Sequence, residues 1–493
     1  MKYVLNHEGK SYRKFFEDIC AIPHNSYNEK EIAHYIARFA EERNLWYHMD
    51  SVWNVIVKKE ASPGYEHHPP VMLQGHTDMV CVKSEGSDFN FETDSLKLYV
   101  EDGWLKAKDT TLGADCGHGV AYMLAVLDDD TLKHPPLECF FSVQEESGIG
   151  GPKNVDYSLF TAKKLINFDV MVEGSTTLST TSVKGGDFVK NVQVIPCSGE
   201  TFKLTVGGCT GGHAGLDMCK ERANAIKLCA RVLHSFTKES QINLISMSGG
   251  TIRNNIPDIC EAVFACDAAS YELLKRITDE MRAAFQAEHR GTDSNLYLSL
   301  EQSAKSDNAL DDETTKQVIE LIILLPSGIY SRRFMSNGLA LILKKGAGDD
   351  GLVITSRNLG TIYLDANSLT IGYMFRSAFD SLMTDIFDQV MLIINKYDVT
   401  FNQIYDYVGF TNSEDDPLNS LWKDVYMKAT GKELIINAIH GGTDVGTIVA
   451  GMGGMDVTTL GPDTIDIHCP GEALNIDSFD RTYEYVKTIL SKL

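Results

Sequence analysis

The sequence predicts an α/β fold in which one domain, built from two separated stretches of chain, is interrupted by an α+β insertion. Three observations carry this reading. Three apolar strands, separated by helical segments, each deliver polar residues at their carboxyl ends; the texture changes from about Gly185; and the α/β texture returns after about position 400. The expected division is therefore 1–185 with 393–493 for the discontinuous domain and 186–392 for the insertion. A chain of 493 residues exceeds what one ordinary core fills.

The first 60 residues read as helix, helix, strand. Asn28 with Glu31 forms a capping pair, and Ile32, Tyr35, Ile36, Phe39 and Ala40 follow an amphipathic stripe. Trp53–Val57 is a short strand. Val71–Gln74 is another and runs into Gly75-His76-Thr77-Asp78. A buried helix is expected over Gly119–Leu127, then a strand over Leu137–Val143 that leads directly into Gln144-Glu145-Glu146. Lys164–Phe168 leads in the same way into Asp169. In open α/β sheets the carboxyl edge is where ligands bind, so these polar residues are expected to share one rim. Within the insertion come a strand at Phe202–Val206, a glycine-rich loop and a helix from about Arg222 to His234. Ser306–Asp312 reads as a polar loop before a helix. The run Gly451–Met455 lacks the Lys-Ser/Thr of a phosphate loop and reads as a tight turn.

Composition removes several partners. The hydrophobic share is 43% and the charged share 23%, as in a soluble globular protein. No apolar run of the ~18 residues needed to span a bilayer appears. The segment Met1–Glu8 has no apolar signal region. A net charge of −23 argues against nucleic acid, which demands a basic patch. Eleven cysteines without a C-x-x-C pair fit reduced thiols in the cytoplasm.

The chemistry rests on a collection of residues that are individually ambiguous. His76 and Asp78 sit at i and i+2, so the carboxylate can approach the second ring nitrogen of a metal-bound imidazole; a polar loop looks the same. Adjacent Glu145 and Glu146 usually mark a solvated face. After an apolar strand and before a flexible Ser147–Gly151 turn, one can ligate while its neighbour accepts protons. Asp115 alone reads as a helix cap and His468 alone as a structural histidine. Together with Asp169 they make two imidazoles and three carboxylates, an N/O set suited to two cations with one carboxylate bridging.

The ordered series H-T-D-M-V, L-G-A-D, E-E-x-G-x-G-G, a strand-terminal aspartate and a late H-x-P resembles the two-zinc peptidases that include aminoacylases and carnosinases. The likeness extends to Trp53-Asn54-Val55, Thr210–Gly215, Arg222–Ala225, Ser356–Gly360 and Phe375-Arg376-Ser377. It implies a zinc-peptidase domain with a mixed sheet flanked by helices, and an inserted lid or dimerisation domain. His76 and Asp169 would hold one metal, Glu146 and His468 the other, with Asp115 bridging. Zinc is the expected ion, with manganese or cobalt as alternatives. Asp78 would orient His76, and Glu145 would take a proton from the bridging water. His213 would stabilise the oxyanion, Arg376 would clamp the substrate carboxylate, and Asn254 would lie near the substrate.

The implied reaction is hydrolysis of dipeptides, with Xaa-His peptides such as β-Ala-His as candidates. Removal of N-acyl groups, and a metal-dependent scaffold without catalysis, stay open beside it. Retention of Glu145 speaks against the scaffold. Two departures stand out: Cys116 follows the bridging aspartate where relatives carry Asn or Asp, and His440–Asp444 replaces H-A-G-L-E, which points to altered substrate contacts at Asp444. The expected partner is a small peptide, with no nucleic acid or membrane, and a homodimer through the lid is a candidate assembly.

Overall fold

The computed structural model describes residues 3–333, 352–413 and 416–493. Helices α1 (Ser11–Cys20) and α2 (Lys30–Glu42) precede β1 (Trp46–Met49), β2 (Val55–Lys59) and β3 (Val71–His76). Helix α3 (Ala114–Asp128) then leads to β4 (Leu137–Ser142) and β5 (Lys164–Asn167). The central chain supplies β6 (Ser182–Asn191), β7 (Glu200–Gly207), α4 (Ala225–Glu239), β8 (Ile242–Gly249), β9 (Cys260–Cys266), α5 (Tyr271–Glu288) and β10 (Tyr297–Gln302). It continues through α6 (Asp312–Leu324), β11 (Gly328–Arg333), β12 (Leu352–Leu364), β13 (Ser368–Ser377), α7 (Asp380–Lys396) and β14 (Thr400–Tyr407). The chain ends with α8 (Pro417–Thr430), α9 (Asp444–Gly451), β15 (Asp456–Thr459) and α10 (Ile476–Leu490).

Two sheets organise these elements. A six-stranded sheet runs β1-β2-β4-β3-β5-β15, with β3 parallel to β4 and β5, and β15 parallel to β5. It is mixed, since β1 and β2 pair antiparallel and β2 opposes β4. Every residue of β3 and β4 is buried, the signature of strands covered on both faces. Because the three parallel strands are adjacent, His76, Glu145 and Asp169 emerge side by side at one edge. The second sheet is wholly antiparallel, in the order β10-β7-β9-β8-β12-β13-β6-β14, with β11 also paired to β12. Its own apolar core, which includes Phe236, Phe264 and Phe285, is separate from that of the first sheet.

Several local expectations change. The Asn28 amide donates to Asn25 Oδ1 and caps nothing; Glu29 occupies the N-cap position of α2 without a side-chain cap. Asn28 instead belongs to the turn that precedes the helix. Helix α3 is interrupted near its start by a kink, since Asp115 and Cys116 have non-helical backbone angles, and its regular turns follow them, close to the predicted Gly119. The stretch 306–312 holds a short strand, Asn308–Leu310, paired with Val194–Pro196. Helix α4 starts after Asn224, whose side chain accepts from the Ile226 and Lys227 amides. After α9, Gly453 and Gly454 adopt φ of +67° and +105°, which makes the glycine run a turn.

Candidate active site

His76 closes β3. Its Nδ1–H donates to the Asp78 carbonyl at 2.9 Å, while the Asp78 carboxylate is farther away, at 3.6 Å. That bond leaves Nε2 facing Asp115 Oδ1 at 3.1 Å. His468 Nε2 stands 3.3 Å from the other Asp115 oxygen and 2.8 Å from Glu146 Oε1. Asp115 thus offers one oxygen to each imidazole. Ligand atoms of His76, Asp115 and Glu146 lie within 4.8 Å of one another.

The electrostatics show what this cluster lacks. Burial pushes the Glu145 carboxyl well above its ordinary value; His76 opposes the shift, while Asp169 and Asp444 add to it. Burial and the Asp115 charge do the same to Asp169. Hydrogen bonds to Asp115 and Glu146 raise His468 to about 10. Converging carboxylates and imidazoles in a dry site must share protons or cations, and the donor types suit divalent N/O coordination. The residues present therefore fit a metal pair.

Buried side chains fix the loops that carry these groups. Four successive backbone amides around Glu145 are each held by a side-chain oxygen. Val143 N–H donates to Asn54 Oδ1 at 3.2 Å and Gln144 N–H to Glu29 Oε1 at 3.0 Å. Glu145 and Glu146 N–H donate to the two Asp78 oxygens at 3.0 and 3.2 Å. Gln144 itself sits at φ +57°. On the far side, Glu472 accepts from the amides of Leu112, Gly113 and Ala114 at 2.8, 3.1 and 2.8 Å. It ties the loop before Asp115 to the segment that carries His468. His118 lies between the carbonyls of Ala114 and Phe168, at 2.5 and 2.7 Å. The Asp115–Cys116 peptide is cis, and Cys116 is fully buried. Glu29, Asn54, Glu472 and His118 were not singled out as site residues by sequence reasoning, because their partners are backbone atoms of loops remote in sequence.

Asp444 does not touch the cavity. It is 1% exposed beneath the strand ends, where it accepts from Gln74 Nε2 at 2.9 Å and Ser142 Oγ at 2.5 Å.

A cavity of about 520 Å³ opens between the two sheets. Asp115, Glu145, Glu146, Asp169 and His468 line one side; His213, Asn254 and Arg376, all from the same chain, line the other. His76 and Asp78 stand behind this wall. These three residues, Arg376 from the second sheet, His213 from a separate short strand pair and Asn254 from the loop before that pair's second strand, form one chain of contacts. Gly215 and Leu216 amides donate to His213 Nδ1 at 3.1 and 3.0 Å, so the neutral ring carries its proton on Nε2. That nitrogen is 2.7 Å from Asn254 Nδ2, itself a donor, while Asn254 Oδ1 accepts from Arg376 Nη2 at 2.7 Å. The His213 Nε2–H thus faces another donor and finds no acceptor on Asn254. Arg376 is 4% exposed, and among the described residues its Nε has no partner and no carboxylate is bonded to it.

Comparison with known proteins agrees with this architecture. The model of Peptidase family M20/M25/M40 matches residues 72–492. The cytosol non-specific dipeptidase of Escherichia coli is 30% identical over 482 residues, covering 97% of this chain and 96% of that protein. Among solved structures, aminoacylhistidine dipeptidase from Vibrio alginolyticus gives a TM-score of 0.85 at 28% identity, over 98% of this chain and 96% of that one. Aminopeptidase PepT from Bacillus cereus shares the fold, with a TM-score of 0.54 at 15% identity over 99% of each chain. The protein is a hydrolase of the peptidase class. It belongs to peptidase family M20/M25/M40.

Proposed function

We propose that the protein is a cytoplasmic dipeptidase that uses two divalent cations, zinc by preference, with manganese or cobalt as substitutes, and that its substrates include Xaa-His dipeptides. On this reading His76, Asp115, Glu146, Asp169 and His468 would hold the two ions, His76 and Asp169 serving one, Glu146 and His468 the other, and Asp115 both. When bound, such ions polarise a scissile carbonyl and lower the pKa of water towards ~7. Glu145, on the cavity wall and fixed by its amide, takes the proton from water and returns it to the leaving amine. Asp78 holds both glutamate amides and places its carbonyl on His76.

The observation that carries the substrate class is the donor excess on the opposite wall. His213 Nε2–H faces the Asn254 Nδ2 donor, and Arg376 Nη2–H takes the one Asn254 oxygen. A substrate with a developing oxyanion and a free carboxylate supplies the missing acceptors, the first to His213 and the second to Arg376. The names of two of the relatives above, the Escherichia coli and Vibrio alginolyticus dipeptidases, point the same way. Residues 186–392 act as the lid over the domain formed by 1–185 and 393–493, and the lid is the candidate surface for a homodimer. All eleven cysteines are free, in keeping with a reducing compartment. Among the described residues no helix is long and apolar enough to cross a membrane.

The test is hydrolysis of β-Ala-His, Gly-His and N-acetylated controls by metal-stripped protein, with and without added zinc. Glu145→Ala is expected to lower kcat by about 10²–10⁴-fold while the metal content stays unchanged. Cleavage of the acetylated compounds alone would reassign the protein as a deacylase. Metal binding without any cleavage would leave only the scaffold.

A further inference from the structure

The sheet register places a second feature beside Arg376. In the antiparallel pairs, Arg376 of β13 lies opposite Val183 of β6, which lies opposite Tyr407 of β14. Two residues along, Met374 lies opposite Gly185, and Gly185 opposite Tyr405. Directly paired residues share a face, so these two rows look the same way, about 7 Å apart along the strands. Met374, Arg376, Tyr405 and Tyr407 all line the cavity. The bulge between Gln403 and Tyr405 makes this possible. It sets Tyr405 rather than Ile404 against Gly185, leaving Ile404 outside and 51% exposed.

We infer that the Met374–Gly185–Tyr405 row is the subsite for the side chain of the substrate's C-terminal residue, and that it favours apolar or aromatic side chains over acidic ones. The inference rests on the reading of Arg376 as the carboxylate clamp. With the carboxylate on Arg376, the side chain on the same α-carbon falls one row away. There it meets a thioether, a phenol ring and a glycine floor. A Cβ on Gly185 would overlap Met374 Sδ, so the thioether lies across the glycine and fills the notch between the neighbouring strands. Methionine is unbranched and polarisable, so it adapts to differently shaped apolar groups. No member of the row is charged, and a carboxylate side chain would give up its water there without gaining a counter-ion. Arg376 is claimed by the substrate's own α-carboxylate, and Arg253, which interacts with Tyr405, is already ion-paired with Asp187.

The experiment uses the full-length, metal-loaded protein with Gly-Leu, Gly-Phe, Gly-Asp and Gly-Glu. The expected kcat/KM is at least about tenfold higher for the first two. Met374→Lys is expected to raise the Gly-Glu to Gly-Leu ratio by about tenfold or more, and Met374→Leu to preserve the wild-type order. Equal rates across the four peptides, or an unchanged ratio in Met374→Lys, would overturn the subsite. Gly-Leu-amide tests the clamp separately: if it is cleaved as well as Gly-Leu, Arg376 does not read the carboxylate, whichever way the Met374 ratio moves. Calorimetry with free leucine and free glutamate gives the comparison without turnover, and tighter glutamate binding would also sink the subsite.

Discussion

Burial pushes the Glu29 carboxyl up to about 7, with the Asp78 charge adding to the effect. One of its oxygens takes the Gln144 amide and the other has no partner. A carboxyl raised on folding stabilises the protein fully below about 4.5, and that contribution is lost as the pH rises through about 7. Glu29→Gln keeps an acceptor for the amide and removes the charge. The variant is therefore expected to gain on the wild type in denaturant unfolding at pH 8 relative to pH 5, by up to about 3 kcal/mol. Glu29→Ala frees the Gln144 amide, and kcat is expected to fall at least about tenfold as Glu145 loses its placement. The strand-end residues His76, Glu145 and Asp169 were legible in sequence because an apolar run announces each of them. Glu29 was not, since a buried carboxylate bonded to a distant amide leaves no local pattern.

The loops around the proposed ligands are held from outside themselves. Glu472 takes three consecutive amides of the Leu112–Ala114 loop while standing four residues beyond His468, so one side chain sets the spacing of two ligand-bearing segments. Glu472→Ala is expected to weaken metal retention about 10–100-fold in a chelator competition, with secondary structure by circular dichroism unchanged. Boundaries set by such remote contacts resist reading from sequence. A kink at Asp115 and Cys116 breaks the start of helix α3, and the expected Asn28 cap gave way to a turn. Strands β3, β4 and β5, by contrast, lie within a residue or two of expectation because their burial is written in their own composition.

Across the molecule, the two ends of the chain are bonded together. Asp480 of α10 accepts from Tyr12 Oη and Arg13 Nε, each at 2.8 Å, and pairs with Lys10. Burial opposes the Asp480 charge, but the bonds from Arg13, Lys10 and Tyr12 hold its carboxyl below the usual value. Such a group stabilises the fold above the unfolded carboxylate pKa and loses that effect as the pH falls through the folded one. Asp480→Asn is expected to cost about 1–3 kcal/mol near neutrality and progressively less below pH ~4, measured by urea unfolding across pH. The sequence reading expects an insertion over 186–392; the antiparallel sheet runs from β6, which starts at Ser182, to β14 at Thr400–Tyr407, past that boundary, and these two strands are neighbours in it. That adjacency has a consequence for how such a chain changes. The two strands run antiparallel about 4.8 Å apart, so whatever lies between them is a side branch on a closed stem. Segments can be spliced into that branch, lengthened or trimmed without pulling the ends of β3, β4 and β5 apart, so peptide choice can drift while the hydrolytic rim keeps its dimensions.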